Sequence, residues 1–210
     1  MSVYLSVALF AYLVGSAPFA LVVSKAMRLA DPRSYGSQNP GATNVLRSGN
    51  RRAALLTLIG DAGKGWLMVW SAAYVVKRFG ASLGVGDQVI ALAALGVFIG
   101  HLWPVFFQFR GGRGVSTAAG ILFAVHPVLG AASAATWCII AFFFRYSSLA
   151  ALVTAVFAPL YQIFIFGPDV ISAALIMISS LLIFRHRSNI HHLCCGTEPK
   201  IGQKADELED

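Results

Sequence analysis

Long stretches of this chain carry no charged residue, and that constrains the fold more than any motif. No Asp, Glu, Lys or Arg occurs from Ser2 to Ser24, from Gln88 to Phe109, or from Gly114 to Phe144. The hydrocarbon core of a bilayer takes about 20 helical residues, down to roughly 17. Each of these runs is long enough to supply at least one span. Of the 210 residues, 57% are hydrophobic and 12% are charged, and mean hydropathy is +0.71. Soluble domains carry about 25% charged residues. One soluble domain of this length could not hide so much apolar surface. The chain is therefore predicted to be an all-α, polytopic membrane protein.

Seven spans are expected. The first is about Val3–Val23, with Gly15, Ser16 and Pro18 breaking its helix. It lacks the basic flank and cleavage site of a secretory signal, so it reads as a span. The second, about Ala53–Val76, leads through Lys77 and Arg78 into a glycine-rich loop ending at Asp87. The third is about Gln88–Phe107. The fourth is short, from about Ser116 to the His126–Pro127 pair. The last three are about Val128–Phe144, Leu149–Phe166 with a bend at Pro159, and Val170–Phe184. No internal repeat or heptad is evident.

Loop charges set the orientation. One side collects Lys25, Arg28, Arg33, Arg47, Arg51, Arg52, Arg110, Arg113, Arg145, Arg185 and Arg187; the other has only Lys77 and Arg78. The positive-inside rule then puts the N-terminus outside and the C-terminus in the cytoplasm. Residues 1–193 form the membrane domain and 194–210 a cytoplasmic polar tail.

That topology gathers four polar clusters on one face. Residues 35–47, YGSQNPGATNVLR, combine Gly36 and Gly41 with Ser37, Asn39, Thr43, Asn44 and Arg47. They suit a backbone folded around a ligand, or a helix start capped by Asn39 or Thr43. Asp61 and Lys64 lie inside the second span at i,i+3, on one helix face. They form either the floor of a cytoplasmic pocket or a structural ion pair. Residues 100–117, GHLWPVFFQFRGGRGVST, place Arg110 and Arg113 among Gly111, Gly112 and Gly114. Backbone amides without side-chain bulk approach phosphate closely, and a guanidinium grips it bidentately. A basic cytoplasmic hairpin would look similar. His101, just before this loop, is expected to hydrogen-bond into it. The fourth cluster joins Arg145, Ser147 and Ser148 to Arg185, His186, Arg187 and Asn189.

Other chemistry is missing from the sequence. There is no Walker loop, HExxH, GxSxG elbow or Cys/His metal spacing. Cys138, Cys194 and Cys195 give no disulfide framework. No metal, cofactor or nucleic-acid partner is expected. With cations plentiful and internal carboxylates scarce, the ligand should be anionic.

YGSQNPGATNVLR, GDAGKG (60–65), GHLWPVFFQFRGGRGVST and RHRSNI (185–190) resemble, in order, the motifs of the bacterial acyl-phosphate-dependent glycerol-3-phosphate acyltransferases. These are small integral enzymes of the inner membrane with seven spans, and the resemblance covers about residues 5–192. It implies transfer of a fatty acyl group from acyl phosphate to the 1-hydroxyl of glycerol 3-phosphate, giving lysophosphatidic acid and phosphate at the cytoplasmic face. It further implies that Ser37 and its loop, with Gly36, Asn39, Gly41 and Asn44, hold the acyl-phosphate head group. Arg47 and Arg113, with Gly111 and Gly112, would bind phosphate. Ser148, His186 and Asn189 would position glycerol 3-phosphate, and Asp61, Lys64 and His101 would support the loops. The acyl chain would lie in an apolar groove open to lipid. Direct attack without an acyl-enzyme is expected, the proton passing to the departing phosphate or to His186, with phosphate preferred.

Two positions depart from the family pattern. Glycine is frequent where this chain has Gln38, which suggests a looser turn, and lysine is frequent where it has Arg113. The competing reading is a transporter or flippase for an organic phosphate. Oligomeric state is left open by the sequence.

Overall fold

Pro18 has no N–H to give a helix, and it divides the first apolar run in two. In the computed structural model, which describes residues 2–203, α1 (Ser2–Gly15) ends just before it and α2 (Phe19–Ala26) starts just after it. Together they make one broken 24-residue span, Val3–Ala26. A short helix α3 (Ala42–Arg47) precedes the 33-residue α4 (Arg51–Leu83). Then come α5 (Asp87–Leu102) with a 3-10 turn at Val105–Phe107, α6 (Val115–Val125), α7 (Pro127–Phe144) and α8 (Ser147–Phe166). The last two are α9 (Val170–Arg185) and α10 (Arg187–Cys194). Among the described residues all regular structure is helical. Part of the expected tail, 204–210, lies outside them.

The molecule is apolar on the outside. Phe142 and Phe164 are 78% and 82% exposed, whereas the interior is built largely from alanine and medium-sized aliphatics around Phe98 and Leu102. That inversion suits lipid as solvent. Four helical segments are long and apolar enough to cross a membrane: Val3–Ala26, Asp87–Phe107, Pro127–Phe144 and Ser147–Phe166. Val170–Arg185 joined to Arg187–Cys194 across a 57° bend makes a fifth. Small residues let the helices approach closely, as they do within bilayers. A Cβ on Gly100 would collide with the Tyr12 carbonyl of α1, and one on Gly120 with the Ala62 carbonyl of α4.

The helix of the second expected span, α4, is longer than its sequence suggests. The expected glycine-rich loop to Asp87 is mostly helix, because α4 continues through Lys77, Arg78 and Gly80 to Leu83. It stops where Gly84 takes a left-handed φ of 62° and returns its N–H to the Gly80 carbonyl. Pro159 sits inside α8 without ending it.

Candidate active site

Three breaks between helices build one cavity. The first is the segment before α3. Asn44, fully buried, organises it: its Oδ1 accepts from the Ser37 backbone N–H at 3.0 Å, and its Nδ2 donates to the Pro32 and Tyr35 carbonyls. Gly36 and Gln38 both adopt left-handed φ, 55° and 54°. The looser turn expected at Gln38 is thus not found; the chain keeps the tight turn with a residue that strains in it, at about 1–2 kcal/mol. Gly41, not Asn39 or Thr43, occupies the N-cap of α3.

The second break follows α5. Gln108 and Phe109, both at positive φ, reverse the chain so that the glycine loop returns beneath the end of α5. Gly112 N–H donates to the His101 carbonyl at 3.2 Å, and the imidazole of His101 packs against the Gly112 Cα, leaving no room for a side chain. Arg185 from α9 donates to the Gly111 and Gly112 carbonyls at 2.9 and 3.2 Å. So fastened, the loop presents Arg113 inward, while Arg110 stays exposed.

The third break is the hinge between α9 and α10. His186, 2% exposed, sets its Nδ1 2.8 Å from the Leu182 carbonyl. A carbonyl only accepts, so Nδ1 carries the proton and Nε2 of the neutral ring is the acceptor. One turn on, buried Asn189 donates to Glu198 at 2.7 Å.

These breaks enclose a cavity of about 680 Å³. It is lined by Ser37, Arg47, Arg113, Ser148, His186 and Asn189, by Gly36, Asn39, Gly41 and Asn44, and by Asp61 and His101 at its floor. Gly111, Gly112 and Lys64 do not line it; they sit behind the wall. Burial lowers the pKa of both Arg47 and Arg113, and Glu198 acts against that on each. Two guanidinium groups half-withdrawn from water, with one carboxylate nearby, leave this wall of the cavity electropositive. Ser148 Oγ, Asn189 Oδ1 and Glu198 Oε2 are buried without a hydrogen-bond partner among the described residues.

Below the floor, Lys64 Nζ lies 2.8 Å from Asp61 Oδ1 and donates at 2.7 Å to the Ala17 carbonyl, in the break between α1 and α2. His101 Nδ1 is 3.4 Å from the same Asp61 oxygen. Asp61 thus reaches the floor, while Lys64 behind it clamps Asp61 to the α1–α2 break. The hydrogen bond expected from His101 into the loop is made by its carbonyl, while its ring turns to Asp61.

A second, apolar slot of about 150 Å³ runs between α6, α7, α8 and α9. It shares Val115 and Trp137 with the polar cavity. Sequence reasoning missed Trp137 and Glu198. The first hides in an apolar run, and the second stands in a segment read as solvated tail. Arg145 and Arg187, grouped with the site in the sequence, lie outside it. Arg145 exchanges hydrogen bonds with Ile201, and Arg187 stacks on Phe184.

A membrane bundle whose broken helix ends carry an arginine-lined cavity beside an apolar slot defines a class: integral membrane proteins with a polar site set against an apolar one. Residues 5–196 match the glycerol-3-phosphate acyltransferase family, and the chain belongs to it. A glycerol-3-phosphate acyltransferase of Burkholderia pseudomallei (strain 1710b) is 64% identical over 197 residues, covering 92% of this chain and 93% of that one. Another, of Paraburkholderia phymatum, is 60% identical over 200 residues, covering 95% and 93%. Crystal structures of the integral membrane glycerol 3-phosphate acyltransferase PlsY (YgiH) superpose on the fold. Its glycerol 3-phosphate form has TM-score 0.86 at 37% identity, covering 95% of this chain and 96% of that one. Its lysophosphatidic acid form has TM-score 0.84 at 35% identity, covering 98% of each. The protein is thus a membrane acyltransferase of phospholipid synthesis, and the transporter reading gives way.

Proposed function

We propose that this protein moves a fatty acyl group from acyl phosphate to the 1-hydroxyl of glycerol 3-phosphate, directly and without an acyl-enzyme. One observation carries this reading: a cavity with two arginines adjoins an apolar slot across Val115 and Trp137, which matches a donor with a phosphate head and a hydrocarbon tail. The glycerol 3-phosphate and lysophosphatidic acid bound by the solved relatives are such a polar acceptor and such an amphiphile.

Arg47 and Arg113 bind phosphate, with Ser37 and its loop at the donor head group. Ser148, His186 and Asn189 orient glycerol 3-phosphate through their free acceptors and hydroxyl. Gly111 and Gly112 act from behind, by shaping the loop that aims Arg113; Asp61, Lys64 and His101 hold that loop and the α1–α2 break in register. The acyl phosphate is already activated, so alignment and charge neutralisation suffice. The attacking oxygen bonds the acyl carbon, the bond to phosphate oxygen breaks, and phosphate leaves with the electron pair. Phosphate also takes the hydroxyl proton: it gains negative charge as its bond to the acyl carbon breaks, and a second pKa of about 6, as in phosphomonoesters, lets it hold a proton.

The chain crosses the membrane seven times, N-terminus outside, in the bacterial inner membrane with its cavity at the cytoplasmic face. Besides the five apolar segments, α4 and α6 cross as a packed pair. The eleven residues of α6 rise only about 17 Å, so the glycine loop at its start sits below the surface. The test is donor choice. Purified protein should release phosphate from acyl phosphate only when glycerol 3-phosphate is present. Equal turnover with acyl-CoA, or release independent of glycerol 3-phosphate, would refute the reading.

A further inference from the structure

The polar cavity and the apolar slot meet at two side chains, Val115 and Trp137. A donor with its phosphate between Arg47 and Arg113 and its chain in the slot must pass its carbonyl through that junction. Val115 offers the carbonyl no side-chain polar group. Trp137 does: its Nε1 is buried and has no hydrogen-bond partner among the described residues. Ser133 Oγ and Thr154 Oγ1, further along the slot, are unpaired as well. Their hydroxyls can rotate toward a carbonyl of the preceding turn. An indole N–H is fixed in the ring plane and can only donate. It needs an acceptor, and the helix that carries it provides none.

We propose that Trp137 Nε1–H donates to the acyl carbonyl oxygen of the donor and holds the oxyanion that forms as glycerol 3-phosphate attacks. The inference rests on the acyl-phosphate reading above. In the addition step the acceptor oxygen bonds the carbonyl carbon and the π pair moves to the carbonyl oxygen. In the collapse that pair re-forms the carbonyl, and phosphate leaves with the electrons of the broken C–O bond. Trp137 keeps its proton throughout and tightens its hydrogen bond as charge develops. Preorganised donors of this kind act most strongly where water is excluded.

Trp137→Phe keeps the ring and removes the donor. With acyl phosphate and glycerol 3-phosphate both varied, kcat should fall on the order of 10²-fold, the loss expected for one oxyanion donor. KM for each substrate should stay within about twofold, the sign of an interaction made in the transition state. A kcat within about twofold of wild type, or a change confined to the KM of acyl phosphate, overturns the proposal and leaves Trp137 a wall. A second measurement does not depend on that variant. Wild-type protein labelled with ¹⁵N-indole is titrated with a 2-oxoalkyl phosphonate, in which CH2 replaces the bridging oxygen. Trp137 is assigned by elimination with Trp66→Phe, Trp70→Phe and Trp103→Phe. Its N–H should shift downfield; an unmoved signal with analogue bound overturns the proposal. Failure of the donor reading is seen separately, as wild-type protein that releases no phosphate from acyl phosphate.

Discussion

Asn189 donates to Glu198 across 2.7 Å, both side chains buried at the rim of the cavity that holds Arg47 and Arg113. A residue of α10 thereby fixes a carboxylate from the following segment among cations. Glu198→Ala removes both the acceptor for Asn189 and the charge that offsets two half-buried arginines. Stability should fall by about 1–3 kcal/mol, the penalty for an orphaned buried group. Thermal unfolding in detergent checks this; a wild-type transition would mean the segment is only draped on the surface.

Arg113 and Arg110 stand three residues apart on one loop, one lining the cavity and one exposed. Arg113→Ala should lower turnover by at least about 10²-fold, as loss of a charge-stabilising donor does. Arg110→Ala should remain within about threefold of wild type, since a surface cation contributes little. Arg113→Lys should keep intermediate activity, because a lysine restores charge but not the bidentate fork. Steady-state phosphate release on the three variants tests the ranking.

Asp61 and Lys64 form a buried ion pair, each side chain 3% exposed. Removing one partner leaves an uncompensated buried charge, at about 3–5 kcal/mol. Lys64→Met alone should therefore destabilise strongly, and adding Asp61→Asn should recover much of the loss. A double-mutant cycle on unfolding gives the coupling; additive losses would contradict a paired clamp.

The long apolar helices, four or five of them fit to cross a membrane, were readable from the sequence because lipid demands long uncharged helices, and Gly15 to Pro18 and His126–Pro127 mark real breaks. The end of α4 was not, because Gly80 continues a helix and only the left-handed Gly84 stops it. Arg47 and Arg113 stood out as cations among glycines. Gln38 misled, since nothing in its side chain announces a backbone held at positive φ by Asn44 and its neighbours. Glu198 and Trp137 were invisible for opposite reasons. A glutamate beyond the last span looks solvated until α10 folds it back, and a tryptophan in an apolar run looks like packing until its N–H is found unpaired.

Direct transfer makes a demand that no other route shares. Protein at a concentration comparable to acyl phosphate is mixed rapidly, first without and then with glycerol 3-phosphate, and phosphate is followed through the first turnover. The account predicts no phosphate until glycerol 3-phosphate arrives, then phosphate and lysophosphatidic acid together in equal amounts. A burst of phosphate without the acceptor, equal to the protein present and leaving the acyl group on it, would contradict it.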